Sequence, residues 1–255
     1  GGAWQWRPVG DELERTVPDV EGAPDSITPM MLTTDVALKR DPEYREILER
    51  YGIYLKLAER IGRMHAQLSE GTTTRALKIL LAGEAFDEEA RKLVTLFVLH
   101  GFLEPFVAYP VNEVNAFHFA RERGIEIVEE QRGEADGFQH LITVVRRTDG
   151  EARRISGTRF GREDPRIVYF DEYLTDAIPA GPMVIVSNDD RPGIVGKVGS
   201  IFGDAGLNIA NMTVGRNVSG GTALAIFNLD SPVPDEVRTR LEEVPGIFSV
   251  HHLDL

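Results

Sequence analysis

Apolar residues recur along this chain with two different periods, and the switches between them mark its elements. Over residues 53–71, Tyr54, Ala58, Ile61, His65 and Leu68 return at steps of four and three. That is the stripe of an amphipathic helix, with Gly71 as its stop. The next run, TRALKILLAGE, alternates instead, so Leu77, Ile79 and Leu81 fall on one face of a strand. DEEARKLVTLFVLHGFL returns to the helical period, and VNEVNAFHFARERG gives a third helix closed by Gly124. IEIVEE, HLITVVRR, ARRISGTRF and RIVYFDEY then read as four strands. The order predicts helices layered on a mostly antiparallel sheet, an α+β domain over residues 53–180.

Residues 181–255 repeat the alternation in a tighter form. MVIVSN is a strand, PGIVGKVGSIFGDAG a helix and LNIANMTVGR a strand; NVSGG turns into the strand TALAIFNLD. The helix PDEVRTRLEEV and the strand IFSVHHLDL close the unit. The order βαββαβ predicts a ferredoxin-like fold, and the last strand, which does not fray into polar residues, is expected to pair inside the sheet.

The first 52 residues lack either period over most of their length. They hold both tryptophans, Trp4 and Trp6, and the prolines Pro8, Pro18, Pro24, Pro29 and Pro42. Thr34 and Asp35 look like a helix start that Pro42 interrupts, and a second short helix fits Pro42 through Arg50. So few regularly spaced apolar residues cannot form a core of their own, and the segment is expected to be loosely ordered.

Composition changes this picture little. The 255 residues are 42% hydrophobic, enough for two cores, and no apolar run approaches the length of a membrane span. The sequence opens Gly1-Gly2 without a methionine and reads either as an engineered start or as a piece of something longer. With no cysteine, disulfides and thiolate metal sites are out, which fits a reducing cytoplasm. A formal net charge of −13 repels nucleic acid and anionic membranes and points to a cytoplasmic chain with neither as partner.

The glycine-punctuated stretch SNDDRPGIVGKVGSIFGDAGLNIANMTVGR invites a nucleotide reading, but the spacing rejects it. Gly193, Gly196, Gly199 and Gly203 contain no G-x-G-x-x-G, and Lys197 is followed by Val198 rather than by the Ser or Thr of a phosphate loop. The glycines fall at helical intervals beside the stripe Ile194, Val198, Ile201 and Phe202, which suggests a helix face built for close approach to a neighbouring helix or sheet. Amides at the start of that helix, after Pro192, can take a small anion such as a carboxylate. Asp190 reads either as the helix cap or as a partner for an ammonium group. Asn208, after Gly206, reads either as a turn residue or as a ligand contact.

NDDRPGIVGKVGSIFGDAGLNIANMTVGR followed by GGTALAIFNLD resembles an ACT domain, the small amino-acid-sensing module. The likeness extends upstream through IYLKLAERIGRMHAQLSEG, VNEVNAFHFARERGIEI, HLITVV, ISGTRFGREDPRIVYFDEY and AIPAGPMVIVSNDDRPG. Together these resemble the C-terminal half of long-form D-3-phosphoglycerate dehydrogenase, an intervening domain followed by an ACT domain. The resemblance implies L-serine as a feedback inhibitor held between paired ACT domains of a homo-oligomer. It implies Asn188, Asp190 and Asn208 as contacts, with the Gly193 and Ile194 amides on the carboxylate side. Asn188 departs from the larger aromatic or imidazole side chain of some members, which leaves the effector's identity open. The intervening domain in this family can also bind an anionic, substrate-like ligand. Here Arg153, Arg154, Arg159, Arg162 and Arg166 crowd into fifteen residues. Arg166, with Arg153 and Arg159, is the candidate anion site, against the alternative of a solvated strand face making ion pairs.

Catalysis is not expected of this chain. The NAD site, catalytic histidine and substrate arginine of the parent family belong to domains preceding residue 53, so no cofactor and no catalytic residue are assigned here. His65 lies on an apolar helix face and reads as a core residue; His251 and His252 point to opposite faces of one strand, wrong for a shared metal. Two readings therefore stand: a regulatory serine-binding module, or the C-terminal portion of an active dehydrogenase whose catalytic half is missing or supplied in trans. A third concerns the N-terminus, where GGAWQWRPV, VPDV and PMMLTTDVALKRDPEYREILERY resemble a fragment of the haem catalase-peroxidases over residues 1–51. Asp35 matches the aspartate beside that family's haem-ligating histidine, yet residues 1–50 hold no histidine, so haem binding has no basis.

Overall fold

The computed structural model describes residues 5–9, 12–16 and 42–255 apart from 70, 85, 113, 114, 162 and 219. Two compact units divide the chain, Gly1–Arg45 and Glu46–Leu255. In the first, β1 (Gln5–Val9) and β2 (Glu12–Thr16) form an antiparallel hairpin, with Gln5 opposite Thr16 and Val9 opposite Glu12. The aperiodic sequence gives no sign of this hairpin. The helix start expected at Thr34 and Asp35 lies outside the described residues.

The second unit begins within a long helix, α1 (Pro42–Gln67), which runs unbroken where the sequence pattern separates a short helix from a longer one. Gly52 at the join costs about 1 kcal/mol of helix propensity. Burial of Tyr51, Tyr54, Leu55, Leu57 and Ala58 around it outweighs that cost. The helix stops four residues before Gly71, which takes φ +73° in the turn that follows. Arg146, itself buried, closes this end by donating to the Leu68 carbonyl and the Thr72 hydroxyl.

Six strands make the first sheet: β3 (Ala76–Ala82), β4 (Glu126–Arg132), β5 (Leu141–Arg147), β6 (Ala152–Phe160), β7 (Asp164–Phe170) and β8 (Tyr173–Ala177). Their order is β4-β3-β5-β6-β7-β8, with β3 and β4 parallel and the remaining pairs antiparallel. The run read as one last strand, RIVYFDEY, breaks at Asp171, whose φ of +52° turns the chain back into β8. Helix α2 (Glu88–Leu103) starts at Asp87, whose carboxylate accepts the Ala90 amide. Helix α3 (Ala116–Glu122) is shorter than the pattern suggests. Leu77, Ile79 and Leu81 face α1 and α2 in the main core, as the alternation of β3 requires. His65 is fully buried there too, its Nε2 3.0 Å from the Val144 carbonyl oxygen.

The remaining elements are β9 (Pro182–Asp189), α4 (Ile194–Asp204), β10 (Ile209–Arg216), β11 (Thr222–Leu229), α5 (Asp235–Glu242) and β12 (Ile247–Asp254). The order β10-β11-β9-β12, antiparallel throughout, is the ferredoxin-like arrangement. The last strand therefore pairs with β9 but occupies the sheet's edge, not its interior, which corrects the expectation from its apolar end. One face of this sheet packs on α4 and α5 through Val184, Val186, Val198, Phe202, Phe227 and Leu241. The opposite face, through Met183, Ile185, Leu224, Ile226 and Leu253, is continuous with the core beneath α1 and around Tyr173 and Ala177. Gln67 ties the two layers: its carboxamide donates to the Asp254 carbonyl at 2.7 Å and accepts the Asp254 amide at 2.8 Å.

Candidate functional site

The site grows from the C-terminal end of β9, where a strand that places Met183, Val184, Ile185 and Val186 in the core turns into α4. Asn188 alternates to the helix-covered side and is buried, 3% exposed, among the least accessible polar residues of the sheet. Its Nδ2 donates to the Asp189 carbonyl at 2.6 Å, whereas its Oδ1 is buried with no hydrogen-bond partner. A buried carboxamide oxygen without a donor is costly and marks a place for one.

Asp190 follows at the turn. Its carboxylate accepts the Gly220 amide at 3.0 Å and stands 3.5 Å from Arg216 Nη1, while its own amide donates to the Gly221 carbonyl. It does not cap α4. The cap position belongs to Gly193, at φ +94°, with no side chain closing the helix start. The helix begins three residues later than a cap at Asp190 would demand, because Pro192 and Gly193 form the turn that precedes it. The amides of its first turn have no acceptor within the helix and carry the positive end of its dipole. Ile194 is buried beneath them. An unpartnered oxygen, a carboxylate and bare amides at one strand-to-helix junction match the two charged ends of a free amino acid.

Asn208 is not part of that cluster in one chain. It donates to Asp230 at 2.5 Å, beside the opposite end of β10. Asn188 faces Ala223 on β11 and Ile209 faces Leu229, six residues further along, a separation of about 20 Å. Arg216 and Gly220, which hold Asp190, had no sequence signal, because the β10–β11 loop reaches them only through the sheet's register. The glycine face of α4 also departs from expectation. A Cβ at Gly196, Gly199 or Gly203 would meet nothing within 4 Å, so among the described residues no helix or strand packs closely on it. Val195 on α4, with Met212 and Val214 on β10, is exposed on the same side, and the outer edge of β10 has no strand partner among the described residues.

The arginines of the first sheet are dispersed. Arg166 lies 2.7 Å from Asp164 and 3.5 Å from Asp176, and Arg153 lies 3.5 Å from Asp171 and above the Phe170 ring. Arg159, six residues along β6 from Arg153, sits over the Tyr54 ring, whose hydroxyl is 2.7 Å from His140 Nδ1. The structure brings no two of the three together.

The strand order and the β9–α4 junction define a ferredoxin-like domain of the kind ACT modules have, attached to a larger α+β domain. Comparison with known families agrees and is more specific. Residues 50–171 match the D-3-phosphoglycerate dehydrogenase intervening domain and residues 183–246 match the ACT domain. The chain thus carries the regulatory intervening and ACT domains of the D-3-phosphoglycerate dehydrogenase family. The first 49 residues lie outside both matches. Relatives named D-3-phosphoglycerate dehydrogenase include those of Methanocaldococcus jannaschii, 33% identical over 211 residues, and Bacillus subtilis, 33% identical over 207. That of Archaeoglobus fulgidus is 32% identical over 204 residues. These alignments cover 83%, 79% and 79% of this chain and 40%, 38% and 38% of the relatives' lengths, so the chain spans about two fifths of them.

Proposed function

We propose that this chain is the amino-acid-binding regulatory portion of a D-3-phosphoglycerate dehydrogenase of serine biosynthesis, and that it takes L-serine at a seam between two copies of its ACT domain. The observation that carries this reading is the buried, unpartnered Oδ1 of Asn188 beside Asp190 and the open start of α4. Asp190 meets the ammonium group, the first-turn amides near Gly193 and Ile194 meet the carboxylate, and Asn188 supplies an acceptor for the hydroxyl. Asn208 joins from the second copy. If the free edges of two β10 strands pair antiparallel about a two-fold axis, the start of each lies beside the end of the other. The partner's Asn208 then arrives next to Arg216, hence next to Asp190. The same pairing covers Met212, Val214 and the glycine face of α4. Serine bound across the seam favours the paired arrangement, and the sheet's other face relays it to the intervening domain.

Calorimetric titration with L-serine tests this, with two single variants, Asn188→Ala and Asn208→Ala. Each alone should abolish the heat. Mixed after subunit exchange, they should regain about half of the heterodimer's sites, because one seam then unites the two intact asparagines. A mixture as silent as its components would refute a shared site.

The family's dehydrogenase activity is a second reading, favoured by the relatives' extra length. Mixing this chain with the preceding domains of such an enzyme and following NADH formation from 3-phosphoglycerate tests whether it restores regulated turnover.

A further inference from the structure

Helices α1 and α2 cross in unusually close contact beneath the first sheet. A Cβ at Gly62 would lie 2.1 Å from the Val98 carbonyl oxygen, and one at Gly101 would lie 2.0 Å from that of Glu59. Only glycine allows these backbones to meet, so their relative position is fixed. Beside this crossing stand Glu59 from α1, His100 from α2 and Glu104 at the C-terminal cap of α2. His100 and Glu104 are four residues apart on one helical face. One donor atom from each of the three residues lies within 4.8 Å of the others. His100 Nδ1 is shielded from water, has no hydrogen-bond partner and stands 3.7 Å from Glu59 Oε1.

A cation already sits among the carboxylates. Arg63 Nη2 is 3.1 Å from Glu59 Oε1 and 2.8 Å from Glu104 Oε2. That bridge satisfies the two acids but leaves the imidazole nitrogen, whose lone pair can take a hydrogen-bond donor or a metal ion, without a hydrogen-bond partner. Arg63 is about a third exposed on a flexible stem and can turn its head into water. Imidazole plus two carboxylates is a three-ligand set for a tetrahedral ion with one open position, and nitrogen among the donors favours zinc over calcium or magnesium. Ligand atoms about 2.0–2.1 Å from such an ion are roughly 3.3 Å apart. Side-chain rotation of an ångström or so closes the gap without moving either helix.

We propose that Glu59, His100 and Glu104 form a zinc-class metal site that staples α1 to α2, with Arg63 as the ion's resident competitor. The metal-stripped, untagged chain should bind one equivalent of Zn²⁺ by calorimetry, with a rise in melting temperature, and should give the intense visible bands of tetrahedral cobalt with Co²⁺. His100→Gln should weaken binding by about tenfold or more. Glu104→Gln, at the exposed rim, should do likewise and serves if the first variant does not fold. Arg63→Gln should bind at least as tightly as the parent. His118→Gln is the control, because His118 on α3 lies 3.3 Å from Glu122 and belongs to no three-donor cluster among the described residues. Absence of Zn²⁺ binding, binding untouched by both His100→Gln and Glu104→Gln, or weaker binding in Arg63→Gln would each reduce the cluster to an arginine-bridged salt link and overturn the proposal.

Discussion

His65 joins α1 to β5 through one ring nitrogen, and its other nitrogen, Nδ1, is buried without a partner. Burial pushes its imidazole down to about 3, against the opposing pull of the Val144 hydrogen bond. The folded pKa lies below the unfolded value near 6.5, so the unfolded chain takes up the proton first. This contribution to stability is complete above about pH 6.5 and is lost as pH falls toward 3, by up to about 1.4 kcal/mol per pH unit. Denaturant unfolding at several pH values between 7 and 4 should show it as the difference between the parent and His65→Gln, which keeps a donor for Val144. His140 and His252, also lowered by burial, act in the same direction in both proteins and cancel in that difference. Identical slopes in the two proteins would mean that His65 is not the titrating group. The core role of His65 was legible in the sequence because its neighbours at helical spacing are all apolar. Its orphaned nitrogen was not, since that depends on what β5 offers across the interface.

At the scale of elements, the tightest contact is the crossing of α1 and α2. Gly62→Ala or Gly101→Ala puts a methyl group into a backbone carbonyl that cannot retreat, with an expected loss of about 1–3 kcal/mol in chemical denaturation. Gly199→Ala on α4 meets open space within the chain, and substitution there should leave the isolated chain as stable or slightly more so. Equal losses at all three positions would contradict the crossing. The contrast also shows where sequence reasoning stops. Helical spacing identifies a glycine face, as it did for Gly196, Gly199 and Gly203, but not whether anything in the same chain rests on it. Gly62 and Gly101, single glycines inside strong helical patterns, gave no repeat to notice. The β9–α4 junction was legible because Asn188, Asp190, Gly193 and Ile194 are close in sequence. Asn208 could be placed only by sheet register, and the edge position of β12 only by strand order.

Taken as a whole molecule, residues 46–255 form one body; its exposed apolar groups in the ACT domain include Val195, Met212 and Val214 on the α4–β10 side, besides Val218 in the β10–β11 turn and Phe248 on β12. If the seam lies there, Met212→Lys should shift the chain to monomer in sedimentation velocity and abolish serine heat together, with little change in the monomer's melting temperature. A monomeric variant that still binds serine with parental affinity would place the whole site within one chain.

The carboxamide of Gln67 does for the last strand what a neighbouring strand would do, offering one donor and one acceptor to the backbone of Asp254. The longest helix and the chain's penultimate residue are therefore latched by a single side chain, far along the sequence from each other. A twist of the second sheet would therefore reach α1 without first passing through the linker, and shortening the chain by two residues would cut that tether while leaving every residue of the candidate pocket in place.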